Sequence, residues 1–221
     1  MAAPDAVIFD LDGVLLDSEQ RWNEAKQALV SRAGGHWRAD AATVMMGMSS
    51  PEWSAYMRDE LDVPLDSDTI NRAVVRLMEE GYERELPLLP GAREAVTALA
   101  QHWPLGLASS SNREIIDLAL RLADFDGAFA VTISSEEVAR GKPAPDVYLE
   151  AARRLGVAGE ACVAIEDSAN GLRAANAAGM AVIAVPNPHY PPGADALALA
   201  AVAVATPGAV TPDLVREAFD R

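Results

Sequence analysis

The chain has 221 residues, 50% of them hydrophobic, and a formal net charge of −15 at pH 7. Its length suits one core domain with a modest insertion, its apolar share excludes a disordered chain, and its acidity disfavours nucleic acid and anionic membrane surfaces, which select basic patches. The lone Cys162 cannot form an internal disulfide, and with no basic leader and no apolar run of about 18 residues, a soluble, cytoplasmic and monomeric protein is expected.

Val7-Ile8-Phe9 is a β-branched and aromatic run too short for a helix, and it reads as a strand buried on both faces. It ends at Asp10 and Asp12, whose side chains point to one side on extended backbone, and Gly13 lets the chain turn. Asp17 with Gln20 resembles a capping box, and Trp22, Ala25, Ala28 and Leu29 recur at helical spacing, predicting a helix from Ser18 to Arg32 closed by Gly34-Gly35. Pro51 to Leu61 is predicted as a short helix opened by proline, and Ile70, Val74, Leu77 and Met78 mark a longer one. Residues 17–86 show no strand signal and are expected to form an all-helical insertion, with Pro87 and Pro90-Gly91 marking the return.

From there strands and helices alternate. Leu105–Ala108, Val131–Ile133, Cys162–Ile165 and Ala181–Val185 read as strands, and a further one is expected within Ala196–Ala205. The helices between them carry Ala92, Val96 and Leu99, then Ile115, Leu118 and Leu122, then Tyr148, Ala151 and Leu155, then Leu172, Ala175 and Ala178. This alternation implies βαβ units in an α/β fold with a doubly wound parallel sheet. All strand carboxyl ends of such a sheet lie on one edge, where ligands bind. Asp10 and Asp12, Ser109 with its neighbours, and Glu166 with Asp167 would meet there, and Lys142 follows the third strand in Arg140-Gly141-Lys142-Pro143. Each group also has a plainer reading: a solvated acidic turn, a helix cap for the serines and for Asp167, a surface lysine.

Taken in series, the four groups match the four motifs of the haloacid dehalogenase-like (HAD) hydrolase superfamily, and FDLDGVLLDSE resembles its sugar-phosphate phosphatase and β-phosphoglucomutase branch. The resemblance implies a Rossmann-like core of residues 1–16 and 87–221 and a helical cap over 17–86. It implies Asp10 as nucleophile and Asp12 as general acid and base in hydrolysis of a small phosphorylated metabolite through an aspartyl-phosphate. Ser109, Ser110 and Lys142 would bind phosphate, while Asp10, Asp12, Asp167 and Glu166 would hold Mg²⁺. Ser111 and Asn112 are read as helix caps.

The branch position follows from the cap. The position matching the mutase's cap histidine is Trp22, and that matching its phosphate-gripping arginine is Ser50. A phosphatase for a phosphorylated sugar or polyol is therefore expected, with a phosphosugar mutase or a non-catalytic binding protein as alternatives. Trp22 and Ser50 are candidate cap residues facing the substrate, with Glu19, Arg21, Met46 and Met48 beside them. His36, His102 and His189 lack ligand spacing and read as surface residues.

Overall fold

Strand β1 (Ala6–Phe9) is four apolar residues, all fully buried, and it occupies the middle of the molecule. In the computed structural model, which describes residues 3–188 and 190–221, it pairs in parallel on both edges, with β2 (Leu105–Ser109) and β4 (Cys162–Glu166). Strands β3 (Val131–Ser134), β5 (Ala181–Ala184) and β6 (Val202–Ala203) complete a six-stranded sheet in the order β3-β2-β1-β4-β5-β6. The connections leave β1 in opposite directions, which opens a crevice beyond its carboxyl end. Phe9 lies opposite Leu107 and Ile165, so Asp10, Ser109 and Glu166 reach the same edge.

Alternating residues of the strands feed two apolar layers. Val7 and Phe9 pack with α5 (Ala92–Ala100), α6 (Arg113–Leu122) and α10 (Pro212–Phe219). Ile8 packs with α7 (Asp146–Leu155) and α8 (Ala169–Ala177) on the other face. Between β1 and β2 the chain makes α1 (Glu19–Ala33), α2 (Ala41–Met45), α3 (Ser50–Glu60) and α4 (Ser67–Arg84), and their apolar faces join the first layer through Leu29, Trp53, Met57, Ile70 and Met78. The two connections to these helices run side by side. Leu16 bridges Leu88 antiparallel, Leu89 N–H donates to the Leu15 carbonyl at 2.9 Å, and Asp17 N–H donates to the Pro87 carbonyl at 2.8 Å.

Several local expectations need correction. No Asp17–Gln20 capping box forms: Ser18 is the N-cap of α1, its hydroxyl donates to Asp12 instead, and the Gln20 amide donates to Glu24. The Ser18 hydroxyl donates to the Asp12 carboxylate, a charge-assisted bond stronger than a neutral one, and this turns it away from the N–H donors of the first turn. Only Val202–Ala203 of the stretch Ala196–Ala205 joins the sheet, because its alanine-rich start belongs to the one-turn helix α9 (Ala194–Leu197). Helices α2 and α10 were not foreseen: α2 is five residues long, and α10 is set by Thr211, whose hydroxyl accepts from Leu214 N–H at 3.3 Å. His36 and His102 are exposed, as expected of surface residues, and His189 lies outside the described residues.

Asn112 ties the helical segment to the sheet. Its carbonyl oxygen accepts from the Ser50 hydroxyl at 2.7 Å, and its amide donates to Asn71 at 3.1 Å and to Glu136 at 2.7 Å. It makes no side-chain cap on α6, because these partners already use both of its polar ends. Asn112→Ala leaves the buried Ser50 hydroxyl and one face of Glu136 unpaired. We expect it to cost about 1–3 kcal/mol, read as a lower denaturant midpoint with an unchanged slope.

Candidate active site

Asp10 follows β1 directly, and its backbone N–H donates to the Ile165 carbonyl at 3.0 Å, which fixes it beside the end of β4. The Lys142 ammonium lies 2.8 Å from Asp10 Oδ1 and 2.6 Å from Glu166 Oε1, and all three side chains are buried. Tyr148 of α7 donates its hydroxyl to the same Glu166 oxygen at 2.9 Å, and its ring lies 4.9 Å below the ammonium. Glu166 Oε2 accepts from the backbone N–H groups of Asp167 and Ser168 at 2.9 and 3.0 Å. The peptide bond between Lys142 and Pro143 is cis.

Asp10, Glu166 and Asp167 each offer a carboxylate oxygen within 4.8 Å of the others, a hard-oxygen cluster that could hold a divalent cation. Burial pushes the Asp10 carboxyl up to about 8, against the pull of Lys142 and with the help of Glu166 and Asp12. Asp167 is raised well above its ordinary value, first by burial and then by Glu166 and Asp10. Lys142 is held charged: Asp10 and Glu166 outweigh its own burial. Two glycines make the cluster possible. A Cβ on Gly13, which turns the chain at φ +82, would fall 1.9 Å from Asp167 Oδ2, and one on Gly171 would fall 1.7 Å from Glu166 Oε1.

Asp12 is half-buried and ringed by donors. The Ser18 hydroxyl and Trp22 Nε1 (3.1 Å) donate to Oδ1, and the Ser111 hydroxyl donates to Oδ2 at 2.5 Å. Ser111 therefore faces the site rather than capping α6. The Ser109 hydroxyl, fully buried, accepts from Ser111 N–H at 3.0 Å and lies beneath the loop, away from the cavity wall. Ser110 lines the cavity, and its buried hydroxyl has no hydrogen-bond partner among the described residues. An orphaned hydroxyl beside Lys142 and two aspartates is a place for a ligand oxygen.

The cavity runs from Asp10, Asp12, Lys142 and Asp167 at the sheet edge to Glu19, Trp22, Lys26, Trp53, Met46 and Met48 on the inserted helices. Trp22 is both packed and polar, tilted against Trp53 at 6.2 Å while bonded to Asp12. Ser50 and Arg21 are not brought to the cavity: Ser50 bonds Asn112, and Arg21 pairs with Glu85 at 3.0 Å. Lys26 was missed in the sequence. It falls on the buried face of α1, four residues after Trp22 and three before Leu29, and a lysine in that register was the available signal.

Burial raises Glu19 to about 7 against the pull of Lys26, and lowers Lys26 to about 8 against the pull of Glu19 and Asp12. Because the folded Glu19 binds its proton more tightly than the unfolded one, its contribution to stability declines as pH rises from about 4.5 to about 7. Glu19→Gln should therefore lose less stability than the parent between those limits, measured by denaturant unfolding at several pH values. Gly171→Ala should displace the Glu166 carboxylate, lowering the unfolding midpoint by the cost of overpacking, about 1–3 kcal/mol. A variant as stable as the parent would show that Glu166 is free to move.

The haloacid dehalogenase-like hydrolase family model matches residues 4–179. Hexitol phosphatase B of Escherichia coli (strain K12) is 36% identical over 190 residues, covering 83% of this chain and 84% of the relative. A phosphorylated carbohydrates phosphatase of Thermotoga maritima is 32% identical over 178 residues, 80% of this chain and 82% of its own. The crystal structure of CbbY from Rhodobacter sphaeroides in complex with phosphate superposes with a TM-score of 0.81 at 28% identity, covering 94% of this chain and 96% of that one. The α/β core, the motif series and these likenesses agree: the chain belongs to the haloacid dehalogenase-like hydrolase family, in its sugar-phosphate phosphatase and β-phosphoglucomutase-like branch.

Proposed function

We propose that this phosphoric monoester hydrolase removes phosphate from a small phosphorylated sugar or polyol through an aspartyl-phosphate on Asp10. One observation carries the reading: a buried ammonium bonded to Asp10 stands in a cavity beside the unpartnered hydroxyl of Ser110. The relatives named for hexitol and carbohydrate phosphates support the substrate class.

The chemistry follows from charge. A phosphoryl group repels an attacking carboxylate, so the site must place the two together and neutralise the oxygens. Lys142 and Ser110 hold the phosphoryl oxygens, with Ser109 and Ser111 shaping the loop that presents the backbone N–H groups. Asp10 attacks phosphorus and the sugar alkoxide leaves. Asp12 protonates that alkoxide and then takes the proton of the water that cleaves the aspartyl-phosphate. Its Oδ2 accepts from Ser111 alone, against two donors on Oδ1, and is the better placed oxygen for proton transfer.

The cluster of hard carboxylate oxygens at Asp10, Glu166 and Asp167 fits Mg²⁺, which Asp10 and Asp167 would hold together with the Asp12 carbonyl. When bound, the ion supplies positive charge opposite the phosphoryl oxygens. Glu166, whose two oxygens accept from Lys142, Tyr148, Asp167 and Ser168, serves in this reading to hold Lys142 rather than to bind the ion directly. Residues 17–86 act as a cap over the core of 1–16 and 87–221, excluding water and selecting the leaving group. No arginine or histidine lines the cavity among the described residues, so the grip on a second phosphate expected of a mutase has no such side chain here.

Phosphate release should be seen with Mg²⁺ on a panel of phosphorylated sugars, polyols and nucleotides, with the sugars and polyols preferred, and it should cease on chelation. Asp10→Asn should lower kcat by at least about 10³-fold. Isomerised sugar phosphate without free phosphate would replace the phosphatase by the mutase.

A further inference from the structure

Lys26 is a charged residue in an apolar place. Only 6% of it is exposed, and its ammonium lies 5.5 Å from the Trp22 ring centroid and 5.3 Å from that of Trp53. Among the described residues it has no hydrogen bond and no ion pair, and it lines the cavity together with both indoles. Two indole faces return part of the hydration that the ammonium has lost, but a ring face does not take the place of an oxygen acceptor for its three N–H donors. A buried cation that lines a cavity without an oxygen partner is matched by an acceptor on whatever fills it.

Glu19 fixes the class of that acceptor. It stands seven residues before Lys26 on the same face of α1 and lines the same cavity, without pairing to Lys26 within ion-pair distance. The α1 side of the lining therefore carries one cation and one carboxyl group. A second phosphate would be drawn by Lys26 and repelled by Glu19, with Asp12 adding to the repulsion. A hydroxyl, which both accepts and donates, satisfies the two groups together.

We propose that Lys26, together with Glu19, recognises hydroxyl groups on the carbon chain of the substrate and so makes the site selective for polyhydroxylated monophosphates over bisphosphates and aryl phosphates. This rests on the phosphatase reading above and names the side chains that select within it. Lys26 is a specificity residue, remote from the reacting phosphorus. A site built around buried polar groups rejects an analogue that lacks their partners, because the groups are then left unpaired.

The test compares kcat/KM for glucitol 6-phosphate and for phenyl phosphate, whose ring offers no hydroxyl, in the parent, Lys26→Met and Lys26→Arg. Methionine keeps the apolar stem over the indoles, and arginine keeps N–H donors. In Lys26→Met the ratio of the two constants, glucitol over phenyl, should fall about 10- to 100-fold, mainly through KM, as expected for lost hydrogen bonds to a charged group. Lys26→Arg should recover part of it. An equal fall for both compounds would make Lys26 a packing residue and overturn the proposal, as would an unaltered ratio. A parent enzyme that prefers a sugar bisphosphate, and loses that preference in Lys26→Met, would make Lys26 an anion grip and overturn it too. Absence of phosphate release from every compound would instead refute the phosphatase reading. Titration of glucitol 6-phosphate against the fluorescence of Trp22 and Trp53 then decides Lys26 separately: weaker binding in Lys26→Met supports the proposal, and equal binding or none in the parent overturns it.

Discussion

Lys142 sits between Asp10 and Glu166 with all three side chains out of water, and the sheet edge is arranged around that contact. Removing three charges from water costs several kcal/mol for each, and the Coulomb attraction repays it only when the remaining donors and acceptors are also satisfied. They are satisfied here by Tyr148 and by the peptide groups that open the turn into α8. The contact joins groups 132 and 24 residues apart in the chain, so it forms only when β1, β4 and the loop after β3 are all in place. Folding and assembly of this edge are in this sense one event.

Asp12 plays the corresponding part between the sheet and the inserted helices. Ser18 and Trp22 reach it from the start of α1, and Ser111 reaches it from the loop after β2. One carboxylate thus reads the position of two separate elements. The cavity beyond it changes in character from carboxylates and a lysine at the sheet to indoles and thioethers on the inserted segment, with Glu19 and Lys26 as the charged groups among them.

How much of this was legible depended on how local the cause was. β1 declared itself as an apolar run stopped by Asp10, and the later strands alternated with helices at spacings that left little choice of fold. Asp10, Asp12, Glu166 and Asp167 stood out because strand ends are read from the same pattern, and Lys142 because it sits between Gly141 and Pro143 in the motif series. The short α2 and α9 left no periodicity to read, and the alanines before Val202 fitted a helix as well as a strand. Ser111 and Asn112 looked like caps because capping is the local use of such residues, whereas their partners lie up to 99 residues away. Gly171 gave no hint at all, since its reason is a carboxylate packed against its Cα from a neighbouring strand. Lys26 was visible as an exception on an apolar helix face and gained meaning only once Trp53 was placed beside it.

The connections into and out of the inserted helices form a paired stem at Leu15–Asp17 and Pro87–Leu89. A segment whose two ends are one hydrogen bond apart closes its own loop at the base. Changing its length then alters the closure entropy by only about 0.6 kcal/mol per doubling. Helices α1 to α4 thus leave and rejoin the core at one place, and beyond that stem they are held to it by Ser18 and Trp22 on Asp12 and by Ser50 and Asn71 on Asn112.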